Sequence, residues 1–197
     1  MFIQKLFPGF IWRKPDEEKV LYLTFDDGPI PEVTPWVLEL LDAYSAKATF
    51  FCVGKNVERH PKLFEEILKR GHRVGNHTQG HISGWSTARD TYLSDVGECA
   101  KRVKSELFRP PYGRLRWGQV RSLRKNFKIV LWDVLSGDFD ASISATKCWQ
   151  NVVQYAEAGS IIVFHDSLKA RERLQEVLPK VLSHYSNLGF TFRRIDD

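Results

Sequence analysis

Short apolar runs alternate with amphipathic helical stretches along almost the whole chain, and this alternation restricts the fold more than any other feature. The first run, Val20–Phe25, ends abruptly at Asp26-Asp27-Gly28-Pro29, four residues that favour a turn. Strands are predicted over residues 20–25, 48–53, 72–76, 107–109, 128–134, 160–164 and 190–195. Helices are predicted over residues 35–44, 60–70, 87–104, 117–125, 146–158 and 172–187. Strands joined by helical crossovers run parallel, so we expect an α/β fold, either an open sheet or a small barrel.

The length and composition fit one globular domain with a short N-terminal arm. At 197 residues, with 43% hydrophobic and 27% charged side chains, the chain can bury a sizeable core. We expect residues 1–19 to form the arm and residues 20–197 the domain, with no linker between them. The apolar residues of the arm are expected to pack on the domain, with peripheral membrane anchoring as the alternative; they are Phe2, Ile3, Leu6, Phe7, Phe10 and Ile11.

The sequence also bears on membrane insertion and export. No stretch approaches the ~20 apolar residues that a membrane helix needs, and no signal-peptide pattern is recognisable at the N-terminus. A cytoplasmic protein is therefore the default expectation. The oligomeric state is not indicated by the sequence.

Positive charges outnumber negative ones slightly but do not form one tract. The formal net charge is +5. The densest group of cations has the spacing of a solvated helix face and comprises Arg114, Arg116, Arg121, Arg124, Lys125 and Lys128. Scattered charge supplies only weak, salt-sensitive attraction, so nucleic-acid binding is not expected. Attraction to an anionic polymer or membrane surface stays open.

The cysteines do not predict a disulfide framework or a zinc knuckle. Cys52, Cys99 and Cys148 are an odd, widely spaced set without a CxxC pair. We expect each to be a small buried hydrophobic residue.

Polar side chains follow several of the predicted strands. In parallel α/β folds the ligand site lies beyond the carboxyl ends of the strands, so these residues are expected to face one mouth. They are Asp26 and Asp27, His77 and His81, Arg109, then Asp133, Asp138 and Asp140, and finally His165 and Asp166.

Two of these histidines have the spacing of a metal-binding pair. His77 and His81 are four residues apart, which places two imidazoles on one side of a helical turn. A carboxylate from Asp26 or Asp27 would complete a His₂Asp set, which leaves coordination positions for water and substrate. The alternatives are two solvated loop histidines and a plain Asp-Gly turn.

The remaining strand-end residues suggest acid–base chemistry around that metal. Whichever of Asp26 and Asp27 does not bind the metal would lie near the metal-bound water and could take its proton. Arg109 precedes Pro110-Pro111-Tyr112-Gly113, which predicts a stiff loop holding a guanidinium, with a surface ion pair as the alternative. His165 follows a very apolar run and is either a general acid or a satisfied core histidine.

These motifs together resemble a known family. TFDDGP at 24–29, HTQGH at 77–81, RPPYG at 109–113 and VFH at 163–165 occur in the order found in the NodB-homology polysaccharide deacetylases, carbohydrate esterase family 4. The similarity extends from about Val20 to Ile195. The resemblance implies a distorted (β/α) barrel of about seven parallel strands. It also implies one divalent metal ion, zinc first, with cobalt or nickel also accepted.

The resemblance assigns roles to individual residues. It implies that Asp26 is the general base and that Arg109 holds it, while His165 protonates the leaving amine. The implied metal ligands and oxyanion donor are Asp27, His77, His81 and the backbone N–H of Tyr112.

The chain departs from the family pattern at three positions near the site. Ile82 replaces the usual Pro, Phe139 the usual Trp, and Val163 the usual Leu. Phe139 and Val163 are expected to line a less bulky acetyl pocket. Asp138 is the expected partner of His165, with Asp133 or Asp140 as alternatives.

The expected activity is metal-dependent N-deacetylation of N-acetylglucosamine-type glycans, peptidoglycan or chitin-like, to free amine and acetate. Hydrolysis of another amide or ester in the same superfamily is one alternative. A catalytically silent glycan-binding protein is the other.

Overall fold

The computed structural model describes residues 9–14 and 18–195, which form eight strands in one parallel sheet. The order is β5-β4-β3-β2-β1-β7-β6, and β8 pairs with β1. The strands are β1 Val20–Asp26, β2 Thr49–Cys52, β3 Arg73–Asn76, β4 Leu107–Phe108, β5 Lys128–Ile129, β6 Val134–Leu135, β7 Ile161–His165 and β8 Thr191–Phe192. The prediction of a parallel α/β fold of about seven strands is confirmed.

In the described part of the chain, seven α-helices connect the strands and cover the sheet. They are α1 Thr34–Ala43, α2 Gly54–Arg59, α3 Pro61–Lys69, α4 Arg89–Ala100, α5 Trp117–Leu123, α6 Ala145–Tyr155 and α7 Arg171–Asn187. The short α2 was not predicted. Within the described residues, no helix is both long and apolar enough to cross a membrane.

Strand β1 lies inside the sheet between β2 and β7, and both of its faces are buried. All seven residues of the strand are inaccessible or nearly so, which fits its continuous run of apolar side chains. The Phe25 ring stacks between Phe50 of β2 and Phe164 of β7, at centroid distances of 5.0 and 6.0 Å. In the register of β1 with β7, Asp26 is paired with His165. The two strand ends that carry these side chains are therefore held together by the core.

The predicted strand over residues 128–134 is wrong in its extent. Residues 130–133 separate β5 from β6. The interruption has a physical cause, because the backbone carbonyls of Val130 and Leu131 accept hydrogen bonds from the Arg109 side chain at 3.3 and 3.0 Å. The carbonyls of these two residues thus bond a side chain, whereas their backbone N–H groups donate to Phe108 and Ile11.

The described part of the arm packs on the domain. Phe10 and Ile11 contact two separate groups of core residues, and Ile11 forms a parallel bridge with Val130. Arg13 forms an antiparallel bridge with Ser160. The other apolar arm residues, Phe2, Ile3, Leu6 and Phe7, lie outside the described residues, and the boundary between residues 19 and 20 stays a prediction. All three cysteines are free and buried, as predicted.

The stacked rings at the centre predict the first stability effect. Replacing Phe25, which is fully buried, by alanine should lower the free energy of unfolding by about 3–5 kcal/mol because it removes apolar contacts and leaves a cavity. Urea denaturation measures this loss. The control is Tyr155→Ala, at a side chain that is 61% exposed, where the change should stay within about 0.5 kcal/mol. Equal effects of the two substitutions would contradict the central position of β1.

Candidate active site

A buried ion pair joins Arg109 to Asp26 beneath the mouth of the sheet. Arg109 is fully buried, and its Nη1 donates to Asp26 Oδ1 at 2.7 Å. The same nitrogen donates to Thr24 Oγ1 at 2.7 Å, and the guanidinium lies 4.1 Å from the centre of the Phe51 ring. Arg109 is therefore not a surface ion-pair residue, and its side chain also donates to Thr24 and to two backbone carbonyls.

Asp27 leaves the strand in an unusual backbone conformation. Its φ is 83°, a left-handed value that is rare for a residue with a side chain. The Asn56 side chain donates to the Asp27 carbonyl at 2.7 Å, and Gly28 N donates to Asp166 Oδ1 at 3.0 Å. A Cβ on Gly28 would lie 2.0 Å from the carboxylate of Asp166, so only glycine fits there. The two carboxylates come close to one imidazole nitrogen: Asp26 Oδ2 lies 4.0 Å and Asp27 Oδ1 3.8 Å from His77 Nε2.

The HTQGH segment is a loop and not the predicted helical turn. Thr78 and His81 have positive φ values of 65° and 54°. The Asp95 carboxylate on α4 accepts hydrogen bonds from Gln79 N at 2.8 Å and Gly80 N at 3.1 Å, which fixes the loop from below. His77 and His81 still lie close together, with ring centroids 5.1 Å apart.

Asp27, His77 and His81 form one set of donor atoms that could hold a metal ion. One ligand atom from each lies within 4.8 Å of the others. His77 Nδ1 lies 2.8 Å from the backbone carbonyl of Arg109. Because a carbonyl only accepts, Nδ1 carries the hydrogen, and the lone pair of Nε2 points to the set.

The charge states of the set also suit a cation. Burial lowers the pKa of His77 to about 4, so the ring is neutral at neutral pH. Burial would raise the pKa of Asp27, but the nearby His81 and His165 rings outweigh it and hold that pKa well below its usual range. Asp27 Oδ1 is buried and accepts no hydrogen bond within the described part of the chain, although His81 Nε2 lies 3.1 Å away. A carboxylate and two imidazoles around a buried oxygen that lacks a donor fit a divalent metal ion such as zinc.

His165 is paired with Asp138. Its Nδ1 lies 2.8 Å from Asp138 Oδ1, and its backbone N donates to Asp138 Oδ2 at 2.8 Å. Asp133 is excluded as the partner, because its carboxylate bonds Ser160 and Ile161 N at the opposite end of β7.

Asp140 is excluded as the partner as well, since it lies in a turn. Its Oδ1 accepts from Ser142 N at 2.9 Å and from the Ser142 hydroxyl at 2.7 Å.

The environment of His165 favours its protonated form. Burial would lower the pKa of this imidazole, but the charge and hydrogen bond of Asp138 outweigh it and raise the pKa to about 9. Phe139 covers one edge of the ring at a centroid distance of 4.9 Å. His165 is therefore a cation at neutral pH in a half-buried position.

These groups line one cavity of about 390 Å³ at the carboxyl ends of the strands. Most of the residues predicted for the site lie in its wall, namely Asp26, Asp27, His77, His81, Tyr112, Phe139, Val163 and His165. The wall also contains Arg114, Trp132, Leu135 and Lys169, for which sequence reasoning gave no role there. Arg109 and Asp138 do not line the cavity but are paired with two residues that do, Asp26 and His165. Ile82 packs on the apolar group that includes Tyr92 and Phe108.

Tyr112 borders the cavity with a strained backbone. Its φ is 61°, and its ring, 60% exposed, stands edge-on to His81 at a centroid distance of 4.9 Å. Sparsely populated backbone conformations of this kind cluster at functional sites.

Three supporting residues escaped sequence reasoning as members of the site. Asn56 holds the turn that carries Asp27, and Asp95 holds the loop between His77 and His81. Neither residue lies in a recognisable motif. Asp166 was noted at a strand end, but its role is structural: it is fully buried, and Thr34 Oγ1 lies 2.6 Å from its carboxylate. In the sequence, only Gly28 indicated that another group, the Asp166 carboxylate, comes close to the backbone at this turn.

Comparison with known proteins places this cavity in a family context. The family model described as polysaccharide deacetylase matches residues 13–128. A peptidoglycan-N-acetylglucosamine deacetylase of Bacillus cereus is 34% identical over 197 residues, covering 96% of this chain and 92% of that protein. The chain spans only 60% of a second Bacillus cereus protein of the same name. A chitooligosaccharide deacetylase of Azorhizobium caulinodans is 32% identical over 78% of this chain and 77% of its own length.

The fold comparison agrees. A crystal structure of a peptidoglycan N-acetylglucosamine deacetylase superimposes with a TM-score of 0.90 at 28% identity, covering 99% of this chain and 94% of the other. This likeness confirms the predicted distorted barrel. The matched family model and the full-length likeness show that the chain belongs to the polysaccharide deacetylase family, carbohydrate esterase family 4.

Proposed function

We propose that the protein is a metal-dependent N-deacetylase that hydrolyses the acetamido group of N-acetylglucosamine-type glycans. The observation that supports this most is the position of two acid–base groups, Asp26 and His165. They lie on neighbouring strands beside the three residues that could hold a metal ion. The relatives are named for peptidoglycan and for chitooligosaccharide, and both classes of glycan carry this acetamido group.

Asp26 is proposed as the general base. Its Oδ1 is bonded to Arg109 at 2.7 Å, which leaves Oδ2 facing the cavity, where it lies 4.0 Å from His77 Nε2. A water molecule beside Oδ2 would lose its proton to this oxygen as its own oxygen attacks the acetyl carbon. The role of Arg109 is to fix the orientation of the carboxylate during this transfer.

Asp27, His77 and His81 are proposed to hold the metal ion. A divalent ion there would act as a Lewis acid, which polarises a carbonyl and makes nearby water more acidic. The protein's own contribution is to present the three donors without competing hydrogen bonds. The Tyr112 N–H is the proposed donor to the oxyanion that develops on the acetyl oxygen.

His165 is proposed as the general acid. As the C–N bond breaks, the amine nitrogen takes the proton from the cavity-facing nitrogen of the imidazolium, and acetate and a free amine result. Asp138 fixes the ring and keeps it protonated. Phe139, Val163, Trp132 and Leu135 give the cavity an apolar wall that fits an acetyl methyl group.

The two aspartates should separate chemistry from metal binding. Asp26→Asn should retain one metal equivalent and lose about 10²–10⁴-fold in acetate release, because the amide cannot take the water's proton. Asp27→Asn should lose metal affinity first. Metal analysis and acetate release from N-acetylated glycan oligomers measure the two effects.

The reverse pattern, an empty Asp26→Asn site and a loaded Asp27→Asn site, would contradict these assignments. Metal and glycan binding without turnover of any glycan, amide or ester would support the silent binding protein. Turnover of small amides alone would support the other hydrolase.

The pH dependence should follow His165. Because the acid must carry its proton, kcat/KM should fall as the pH rises through the pKa of His165. Asp138→Asn removes the charge that raises this pKa, so the alkaline limb should move to lower pH by about 1–3 pH units. The control is Asp140→Asn, which alters a partly exposed carboxylate that bonds Ser142 and not His165. An alkaline limb that is identical in the Asp138 variant and the wild type would exclude this role for the pair.

A further inference from the structure

Two exposed cations border the cavity, and the proposed reaction uses neither. Arg114 follows the Tyr112 turn after β4, and Lys169 follows β7, so they approach from strands on the two sides of β1. Both side chains contribute to the cavity wall. We name Arg114 and Lys169 the cationic rim.

Arg114 is held in place by Trp85. Its guanidinium carbon lies 4.9 Å from the centre of the Trp85 ring, which is a cation–π contact. Trp85 is 57% exposed, yet its position is fixed at two points. Its Nε1 donates to the Leu115 carbonyl at 3.3 Å, and its own carbonyl accepts from the Arg116 side chain. An exposed aromatic ring is thus used as a support for a cation.

A buried side chain ties the two supporting loops together. Gln119 is fully buried; its amide nitrogen donates to the Gly84 carbonyl at 2.9 Å, and its amide oxygen accepts from Arg116 N at 2.9 Å. The loops approach so closely that a Cβ on Gly84 would lie 2.4 Å from the Arg114 carbonyl oxygen. The backbone that carries Arg114 is therefore restrained, which reduces the entropy lost when its side chain binds a ligand.

The rim is not needed to neutralise the carboxylates inside the cavity. Asp26 is paired with Arg109, and Asp138 with His165. Neither rim residue forms an ion pair with any carboxylate in residues 9–14 and 18–195. Asp140 lies near enough to Lys169 to be affected by its charge, but its Oδ1 is bonded to Ser142. The charge of the rim is therefore available to a ligand that enters the cavity.

We propose that the cationic rim binds carboxylates on the sugars that flank the reacting N-acetyl sugar, which makes an acidic N-acetylated glycan the preferred substrate class. This inference rests on the proposed glycan deacetylation. A planar guanidinium suits a carboxylate because it can donate two parallel hydrogen bonds. Lys169, whose ammonium lies 5.8 Å from the centre of the Phe139 ring, supplies a second charge on the other side of the cavity.

Three tetrasaccharides test the proposal. The first alternates N-acetylglucosamine with N-acetylmuramic acid, whose lactyl groups carry carboxylates. The second is the same tetramer with its carboxylates converted to amides, and the third is the neutral N-acetylglucosamine tetramer. Binding is measured by calorimetry on the metal-loaded protein, and acetate release is measured in parallel.

The acidic tetramer should bind more tightly than its amidated form, and Arg114→Gln should weaken binding of the acidic form roughly three- to tenfold. Binding of the two neutral tetramers should change by less than about twofold. Arg121→Gln is the matched control, since it removes the same charge from an exposed position on α5. Raising the salt concentration should reduce the preference for the acidic tetramer.

The supporting role of Trp85 has its own readout. Trp85→Ala should reduce the preference for the acidic over the amidated tetramer, and Trp85→Phe should restore most of it, because an aromatic face is what supports the guanidinium. A variant that merely loosened the fold would weaken binding of all three tetramers alike.

Equal affinity of the wild type for the acidic and amidated tetramers would overturn the proposal. The same holds if Arg114→Gln and Arg121→Gln have equal effects. If the acidic preference in binding persists while no tetramer releases acetate, the rim stands and the proposed deacetylation fails.

Discussion

The ion pair between Arg109 and Asp26 is the interaction on which the rest of the site depends. Burying two charges is costly, and here the cost is offset by the ion pair itself and by the hydrogen bonds that the guanidinium donates to Thr24 and to two backbone carbonyls. Those bonds draw in the carbonyls of Val130 and Leu131 and thereby end β5. The Arg109 carbonyl also fixes the His77 ring. One residue therefore orients the proposed base through its side chain and a candidate metal ligand through its backbone carbonyl.

The charges in the interior of the cavity are paired, whereas those at its mouth are not. In the interior, each carboxylate has a specific partner: Asp26 has Arg109, Asp138 has His165, and Asp27 faces two imidazoles. At the mouth, the uncompensated charge is positive. Opposite charges closely paired inside a low-dielectric interior orient reacting groups, whereas exposed cations attract ligands from solution. The proposed acid–base groups thus lie beneath the rim that we propose binds acidic glycans.

The sequence predicted the chemistry-bearing residues better than the backbone around them. A parallel sheet brings its strand ends to one edge, so Asp26, His77 and His165 could be placed together from the order of the strands alone. The loop conformation of HTQGH could not, because it depends on Asp95, which comes from a helix later in the chain. The break after β5 likewise depends on a side chain about twenty residues away. Such long-range contacts leave no local pattern.

A double-mutant cycle on Arg109 and Asp26 in the metal-free protein tests the central claim directly. Arg109→Met and Asp26→Leu should each lower the free energy of unfolding by about 3–5 kcal/mol, because each leaves a buried charge without its partner. The double variant should be clearly more stable than the sum of the two losses implies, since no buried charge is left. Strictly additive losses in urea denaturation would contradict the account and show that the two residues do not depend on one another.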